Sequence, residues 1–375
     1  MSEHFDIIPL VPAFVSEREW LLRLLAPLDV SLHEYDENPK VMPGAIYLYN
    51  SPDKIELSDA FLSAVKKAGN CGLIHLGDEY YRATPDDYEA FDYVVRMFPF
   101  DAIMGEGVFP LSLGLSEKMG AGALLPASER EHAWMFAGDW KSDRGAMAKQ
   151  FNKVPNGYLS LPKSFHGERG VSREAFLENM ANAVFAPCPA GNVCVETGRP
   201  YEALELGAIP ILPGRRFSKA FDDVLGSHPL PIFTSWRDAA EYVRLKMQNP
   251  NELDALQSLC QEWWQSFQAE ASEELVHVLE AGRRGEYRAG LQQHLSTARV
   301  SKFQRLIALL LQQNKNQIIQ RVKFAGVRVL GVMNGKGVLT GTWSIGPSDS
   351  QTPPEKSDSK GPMWRGKRKP RHPSS

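Results

Sequence analysis

The sequence predicts an α/β protein: two Rossmann-like domains facing each other across a cleft, with a helical C-terminal extension. Three observations carry this. Short apolar runs of strand length alternate with segments of helical period along residues 30–104 and again along 133–268. A Gly- and Pro-rich interval of poor periodicity, Gly105 to Ser128, separates the two series. Within the second series, residues 183–213 read as strand, loop, helix and strand in immediate succession, the signature of a parallel βαβ unit.

In the first series, Glu17 to Leu25 predicts a helix and Val30 to His33 a strand. Ala45 to Tyr49 reads as a strand, Leu57 to Ala68 as a helix stopped by Gly69-Asn70, and Cys71 to Leu76 as a second buried strand. Asp86 is placed at the start of a helix of about ten residues carrying Tyr88, Phe91, Val94 and Val95, and Asp101 to Met104 is a third short strand. After the interval, Ala133 to Ala137 is a strand and Gly138 to Ser142 a loop. Asp143 to Phe151 is a helix, Gly157 to Leu161 a strand, and Ser172 caps a helix running to Asn182. Ala183 to Ala186, Gly198 to Leu206 and Ala208 to Leu212 form the βαβ unit, with Gly207 as C-cap. Phe217 to Leu225, Leu230 to Phe233, Trp236 to Gln248 and Asn251 to Gln268 complete the domain. The domain boundaries expected are 1–125, 126–275, an amphipathic helical extension over 276–345 and a disordered basic tail over 346–375. Phe303 to Val332 is amphipathic with basic interruptions, and packing on the domain and a peripheral contact with a partner or interface both remain open.

Composition narrows the function classes. With 43% hydrophobic and 23% charged residues the chain has ordinary globular composition, and a net charge of -3 gives no footprint for nucleic acid. Four scattered cysteines make neither a disulfide framework nor a zinc pattern, so buried free thiols are expected. The first residues, MSEHFDIIPLVPAF, lack a basic segment followed by an apolar core, and no window approaches the length of a membrane span; the expectation is a cytoplasmic protein.

The chemistry-bearing stretch is 183–213. Its first strand ends in Pro187-Cys188-Pro189-Ala190-Gly191, a breaker cluster, where Pro189 and Gly191 shape the loop. Thr197, Arg199 and Glu202 then lie on the first turn of the helix. Arg199 and Glu202 are three apart and project from one face, beside a helix start that favours anions. A planar guanidinium suits a diphosphate, and a carboxylate can accept from ribose hydroxyls, which points to a nucleoside-diphosphate pocket; a solvated i,i+3 ion pair is the plainer alternative. The loop Gly138-Asp139-Trp140-Lys141-Ser142-Asp143-Arg144 adds a glycine for close approach and two cations, Lys141 and Arg144.

The run CPAG, the R-P-Y-E-A-L helix and the G-A-I-P-I-L-P strand resemble the donor half of exostosin-type glycosyltransferases, and most nearly the branch containing the ribitol xylosyltransferase. The likeness covers roughly residues 70 to 265. Thr197 and Ala208 stand where that family usually has Ser and Cys; Phe136, Gly138 and Arg144 match its strand end and following Arg. The resemblance implies a GT-B-like architecture and transfer of a sugar from a nucleoside-diphosphate sugar, UDP-linked, to a glycan or other hydroxyl acceptor. It implies inversion, and no cofactor beyond the donor substrate. The absence of an Asp-x-Asp in the folded part is consistent with a metal-independent reaction. Inversion needs a carboxylate to take the acceptor proton, and Asp78 or Glu79, at a strand's carboxyl end in the first domain, is placed for it. Asp78 acting only as a turn cap is the alternative. A non-catalytic nucleotide-sugar-binding or scaffold protein is the rival function.

Overall fold

A computed structural model describes residues 4–12, 18–51, 55–120, 123–162, 170–214, 220–298 and 304. The amphipathic run expected over 303–332 and the basic tail lie almost entirely outside the described residues. The first sheet contains β1 (His4–Pro9), β2 (Asp29–Leu32), β3 (Ile46–Tyr49), β4 (Gly72–His75), β5 (Tyr93–Arg96) and β6 (Val108–Pro110), in the order β2-β1-β3-β4-β5-β6. The second contains β7 (His132–Ala137), β8 (Gly157–Ser160), β9 (Ala183–Pro187), β10 (Ile209–Pro213) and β11 (Ile232–Phe233), in the order β11-β10-β9-β7-β8. Every strand pair is parallel. The expected pair of Rossmann-like domains is therefore present.

Both strand orders reverse once. From β1 the first sheet grows outward to β2 on one side and through β3 on the other; the second grows from β7 to β8 on one side and from β9 to β10 on the other. Such reversals open crevices at the carboxyl ends of the adjacent strands. The two candidate crevices are thus between β1 and β3, and between β7 and β9.

The helices follow the reading closely in the second domain. α3 (Arg144–Phe151), α4 (Arg173–Ala181), α5 (Arg199–Glu205), α6 (Ala220–Leu225) and α7 (Trp236–Lys246) all fall where expected. Ser172 caps α4 by accepting from the Ala175 amide. Gly207, at φ +75°, ends α5. In the first domain α1 (Arg18–Leu24) and α2 (Asp59–Ala68) are as expected, but the segment after β4 is not. The helix placed at Asp86 is one 3-10 turn, Pro85–Tyr88, capped by Thr84 and Asp87, and Val94 and Val95 belong to β5. Tyr93 to Arg96 is wholly buried between β4 and β6, the setting of an interior parallel strand, so its β-branched pair outweighs the local helical period. The strand placed at Asp101 to Met104 is a turn closed by the Ile103 and Met104 amides on the Phe100 carbonyl. β1, not foreseen, is the strand on which the first sheet reverses.

α8 (Pro250–Arg283) runs 34 residues, about 51 Å at 1.5 Å per residue. It starts on the second domain, where Gln257 donates to the Leu125 and Gly207 carbonyls and accepts from the Ala127 amide. It ends on the first, where Ser272 donates to the Leu24 carbonyl and the Arg283 guanidinium lies over the Phe5 ring. α9 (Arg288–Thr297) stays there, pairing Arg288 with Asp92 at 3.2 Å. Where α8 crosses, Trp264 stacks on Trp20 of α1 at 5.6 Å, and Glu205 of α5 pairs with Arg23 at 2.8 Å. Gly114 closes this junction: it sits at φ +57°, and a Cβ there would fall 2.1 Å from the Trp20 ring. Gly114→Val should therefore cost about 3 kcal/mol or more in urea unfolding, from overpacking added to left-handed strain; a loss under about 1 kcal/mol would show that the junction yields.

Candidate donor site between the domains

The crevice between β7 and β9 is lined by the loop after each strand. β7 leads into 138–143 and α3; β9 leads into Cys188 to Gly198 and α5. The structure brings Gly138, Lys141, Arg144, Pro189, Gly191, Thr197, Arg199 and Glu202 to this one end of the sheet, as the spacing requires for a βαβ unit. Arg199 bridges the crevice: its Nη2 donates to the carbonyl of Ala137 at the end of β7, 2.7 Å away. Its guanidinium lies 4.4 Å from the Phe176 ring centroid and 5.8 Å from that of Phe136. Arg144 approaches the same Phe136 ring at 5.5 Å, so two guanidinium groups lie against one aromatic ring. A Cβ on Gly138 would press to 3.0 Å from Arg144 Nη1 and 3.1 Å from the Phe136 ring, which is why the strand end is open there.

Counter-charges hold the cations only in part. Asp139 pairs with Arg144 and, at 3.8 Å, with Lys141. Glu202 Oε2 is 2.9 Å from Arg199 Nη1, yet that nitrogen makes no aligned hydrogen bond. Arg144 Nε and Thr197 Oγ1 are likewise buried without a partner. Among the described residues six buried side-chain polar atoms lack a partner, and three of the six converge here, all able to donate. Burial pushes the Arg144 and Lys141 pKa values down, and in each case a neighbouring guanidinium adds to the effect. A desolvated cluster of cations with unused donors can accept an anion with several acceptor oxygens.

The two sequence-predicted carboxylates part company. Asp78 has no exposed surface. It accepts from the Arg82 and Ala83 amides at 2.6 and 3.1 Å and pairs with buried Arg96 at 3.0 Å. Both its oxygens are committed inside the first domain, so the reading of Asp78 as a base facing the cleft is corrected: it is a loop clamp. Glu79 instead reaches the second domain, where Oε1 accepts from the Val193 amide at 2.9 Å and Oε2 from Asn192 at 3.3 Å. Its Oε1 lies 3.1 Å from where a Cβ of Gly191 would be, so a larger residue there would crowd the Glu79 carboxylate. Lys141 senses the Glu79 carboxylate, so Glu79 borders the cation cluster. His75, at the end of β4, is buried with Nδ1 2.9 Å from the Tyr88 hydroxyl, and burial drives its pKa well down.

Three contributors were not foreseen. Asp143, buried before α3, accepts from the Ala190 amide at 3.1 Å and from Trp236 Nε1 at 3.0 Å, tying the β9 loop to α7. Phe176 offers the closest aromatic face to Arg199; its place on a capped helix gave no sign of this. Glu196 is buried beside the interdomain linker, accepting from the Leu113 amide at 2.8 Å and the Tyr201 hydroxyl at 2.5 Å. All four cysteines are free and buried. Among the described residues no group of three His, Cys, Asp or Glu side chains could hold a metal ion, and no helix is long and apolar enough to cross a membrane.

No protein-family model and no curated protein matches the sequence. Solved structures with a related layout include an alpha1,3-fucosyltransferase, 12% identical with a TM-score of 0.47 over 76% of this chain and 91% of that one. Another is an O-GlcNAc transferase from Thermobaculum terrenum, 14% identical, TM-score 0.45, covering 79% and 69%. A third is T4 phage BGT solved with UDP-glucose, 10% identical, TM-score 0.41, covering 76% and 99%. All three scores lie below 0.5, and the fold described above rests on the two sheets themselves.

Burial raises the Glu196 carboxyl from 4.5 to about 7, more than the Leu113 and Tyr201 hydrogen bonds lower it. The folded state therefore holds this proton more tightly than the unfolded chain, and stability falls as pH rises from about 4.5 to 7. The full penalty, on the order of 3 kcal/mol, is present above that window. Glu196→Gln should match the wild type within about 1 kcal/mol at pH 5 and exceed it by about 1–3 kcal/mol at pH 8 in urea titrations. Equal differences at both pH values would remove the assignment.

Proposed function

We propose that the chain is a glycosyltransferase of the exostosin type, moving a sugar from a UDP-linked donor to a hydroxyl acceptor with inversion and without a metal. The observation that carries this is the gathering, at the reversal of the second sheet, of Arg144 Nε and Thr197 Oγ1, buried without hydrogen-bond partners, and Arg199 Nη1, ion-paired with Glu202 at 2.9 Å but making no aligned hydrogen bond. A diphosphate has the charge and the acceptor oxygens to satisfy all three. In this reading Arg144, Arg199 and Lys141 take the negative charge that builds on the leaving diphosphate, the work a metal ion would otherwise do. Glu202 holds the ribose; Gly138, Pro189 and Gly191 let the loops come close. The acceptor oxygen bonds to the anomeric carbon as the bond from that carbon to the diphosphate oxygen breaks. The electron pair leaves with the nucleoside diphosphate, and the acceptor proton passes to Glu79. Asp78 acts through the loop it clamps and is a positioning residue.

One observation favours the rival reading of a non-catalytic nucleotide-sugar binder: both Glu79 oxygens accept hydrogen bonds from the Asn192–Val193 loop. A catalytic Glu79 must exchange at least one of them for the acceptor.

Calorimetric titration with UDP, GDP, ADP and CMP separates these readings when paired with turnover. Micromolar binding of UDP, unchanged by EDTA and weakened about 10- to 100-fold by Arg199→Ala, is expected from loss of a charged hydrogen-bonding group. Glu79→Gln should keep that affinity and lose about 100-fold or more in kcat. UDP binding with no transfer by the wild type on any acceptor favours the binder; no nucleotide binding removes both.

A further inference from the structure

The first sheet has its own reversal, between β1 and β3, and the mechanism above leaves it unused. A cavity of about 370 Å³ occupies that place, at the carboxyl ends of the strands. Its lining is mainly apolar, with Ile7 and Pro9 of β1, Leu48 of β3, Leu76 just after β4, and Leu21 and Leu25 of α1, and its polar members are Arg18, His33, Glu34 and Asn50. At its border Leu22 and Tyr35 are each 39% exposed, although both are large and apolar enough to be buried elsewhere. An engineered apolar cavity of about 150 Å³ is enough for benzene. This one has room for a fused pair of rings.

We propose that this cavity binds an aromatic body, that of the acceptor alcohol. The identity as acceptor rests on the glycosyltransferase reading; the binding of an aromatic body does not. A sugar ring here would have only Arg18, His33, Glu34 and Asn50 to pair its hydroxyls, and each one left buried and unpaired costs about 1–3 kcal/mol. An aromatic body buries its faces against those walls and finds a further ring in Tyr35. The position suits transfer. Leu76, a wall of the cavity, is three residues from Glu79, at most about 11 Å of extended chain. Glu79 in turn touches the loop that lines the donor crevice. An acceptor seated here would therefore have its aromatic part in the first domain and its hydroxyl directed toward the junction. The acceptor class this favours is an alcohol with an aromatic body.

The test uses 4-methylumbelliferone, a fluorescent bicyclic aromatic alcohol, titrated by fluorescence anisotropy against the full chain. Wild type, Leu22→Glu and Tyr35→Ala are compared, with UDP titrated into the same preparations and the melting temperature recorded. Leu22 and Tyr35 are partly exposed, so both variants should fold. Saturable binding is expected, weakened about tenfold or more by Leu22→Glu and severalfold by Tyr35→Ala, with UDP affinity and melting temperature unchanged. Absence of saturable binding by the wild type, or binding unaffected by either variant, would overturn the inference. Probe binding that follows this pattern in a protein without UDP affinity upholds the aromatic pocket and removes the donor reading. UDP affinity without probe binding does the reverse.

Discussion

The buried pair of Asp78 and Arg96 is the constraint on which the junction of the two domains depends. Arg96, at the end of β5, has no exposed surface. It spends its donors on Asp78, the Tyr88 hydroxyl and the Met97 and Phe98 carbonyls. Asp78 spends its remaining acceptor capacity on the Arg82 and Ala83 amides, winding residues 78–83 around one carboxylate. A pair so far from water gains little net stability, because desolvation offsets its attraction, yet removing either partner strands the other charge. What the pair supplies is a fixed loop shape. From it Glu79 reaches Val193, and Tyr81, held at φ 54°, places its hydroxyl 3.0 Å from Cys194 Sγ. Both contacts cross to the loop that follows β9.

The second domain answers with a different economy of charge. Its crevice gathers three cations, sets the two guanidinium groups over aromatic rings, and leaves Arg144 Nε and Thr197 Oγ1 without hydrogen-bond partners. A buried donor left unpaired costs about 1–3 kcal/mol, a cost that water, an ion or a ligand can relieve. Asp143 keeps the surrounding loop still by tying the Ala190 amide to Trp236, so the donors are aimed before anything binds. Preorganised donors of this kind lose little on ordering when an anion arrives. The α8 helix, spanning both domains and stacking Trp264 on Trp20, joins this crevice to the first sheet as one body.

Legibility in the sequence followed the physics of each segment. The second domain could be read almost element by element, because its strands are short apolar runs and its helices carry caps such as Ser172 and Gly207. The side chains gathered at the end of the second sheet were legible for the same reason: a βαβ unit fixes where the loop after each strand must lie. The first domain was harder. β5 has Val94 and Val95 at spacings that also suit a helix, and only burial on both faces decides for a strand. β1 is six residues ending at Pro9, with Asp6 inside it, and gives no clean alternation. Asp78 and Glu79 are adjacent carboxylates that no pattern distinguishes. Their roles diverge because Arg96, eighteen residues later, claims one of them. The reversal between β1 and β3, and with it the apolar cavity, could not be seen without β1.

The most direct measurement of the central claim is a crystal structure of the protein with UDP. The account predicts diphosphate oxygens within hydrogen-bond distance of Arg144 Nε, Thr197 Oγ1 and Arg199 Nη1, with the ribose at Glu202. A diphosphate bound elsewhere, with Arg144 Nε and Thr197 Oγ1 still unpaired and Arg199 Nη1 still facing Glu202, would contradict it.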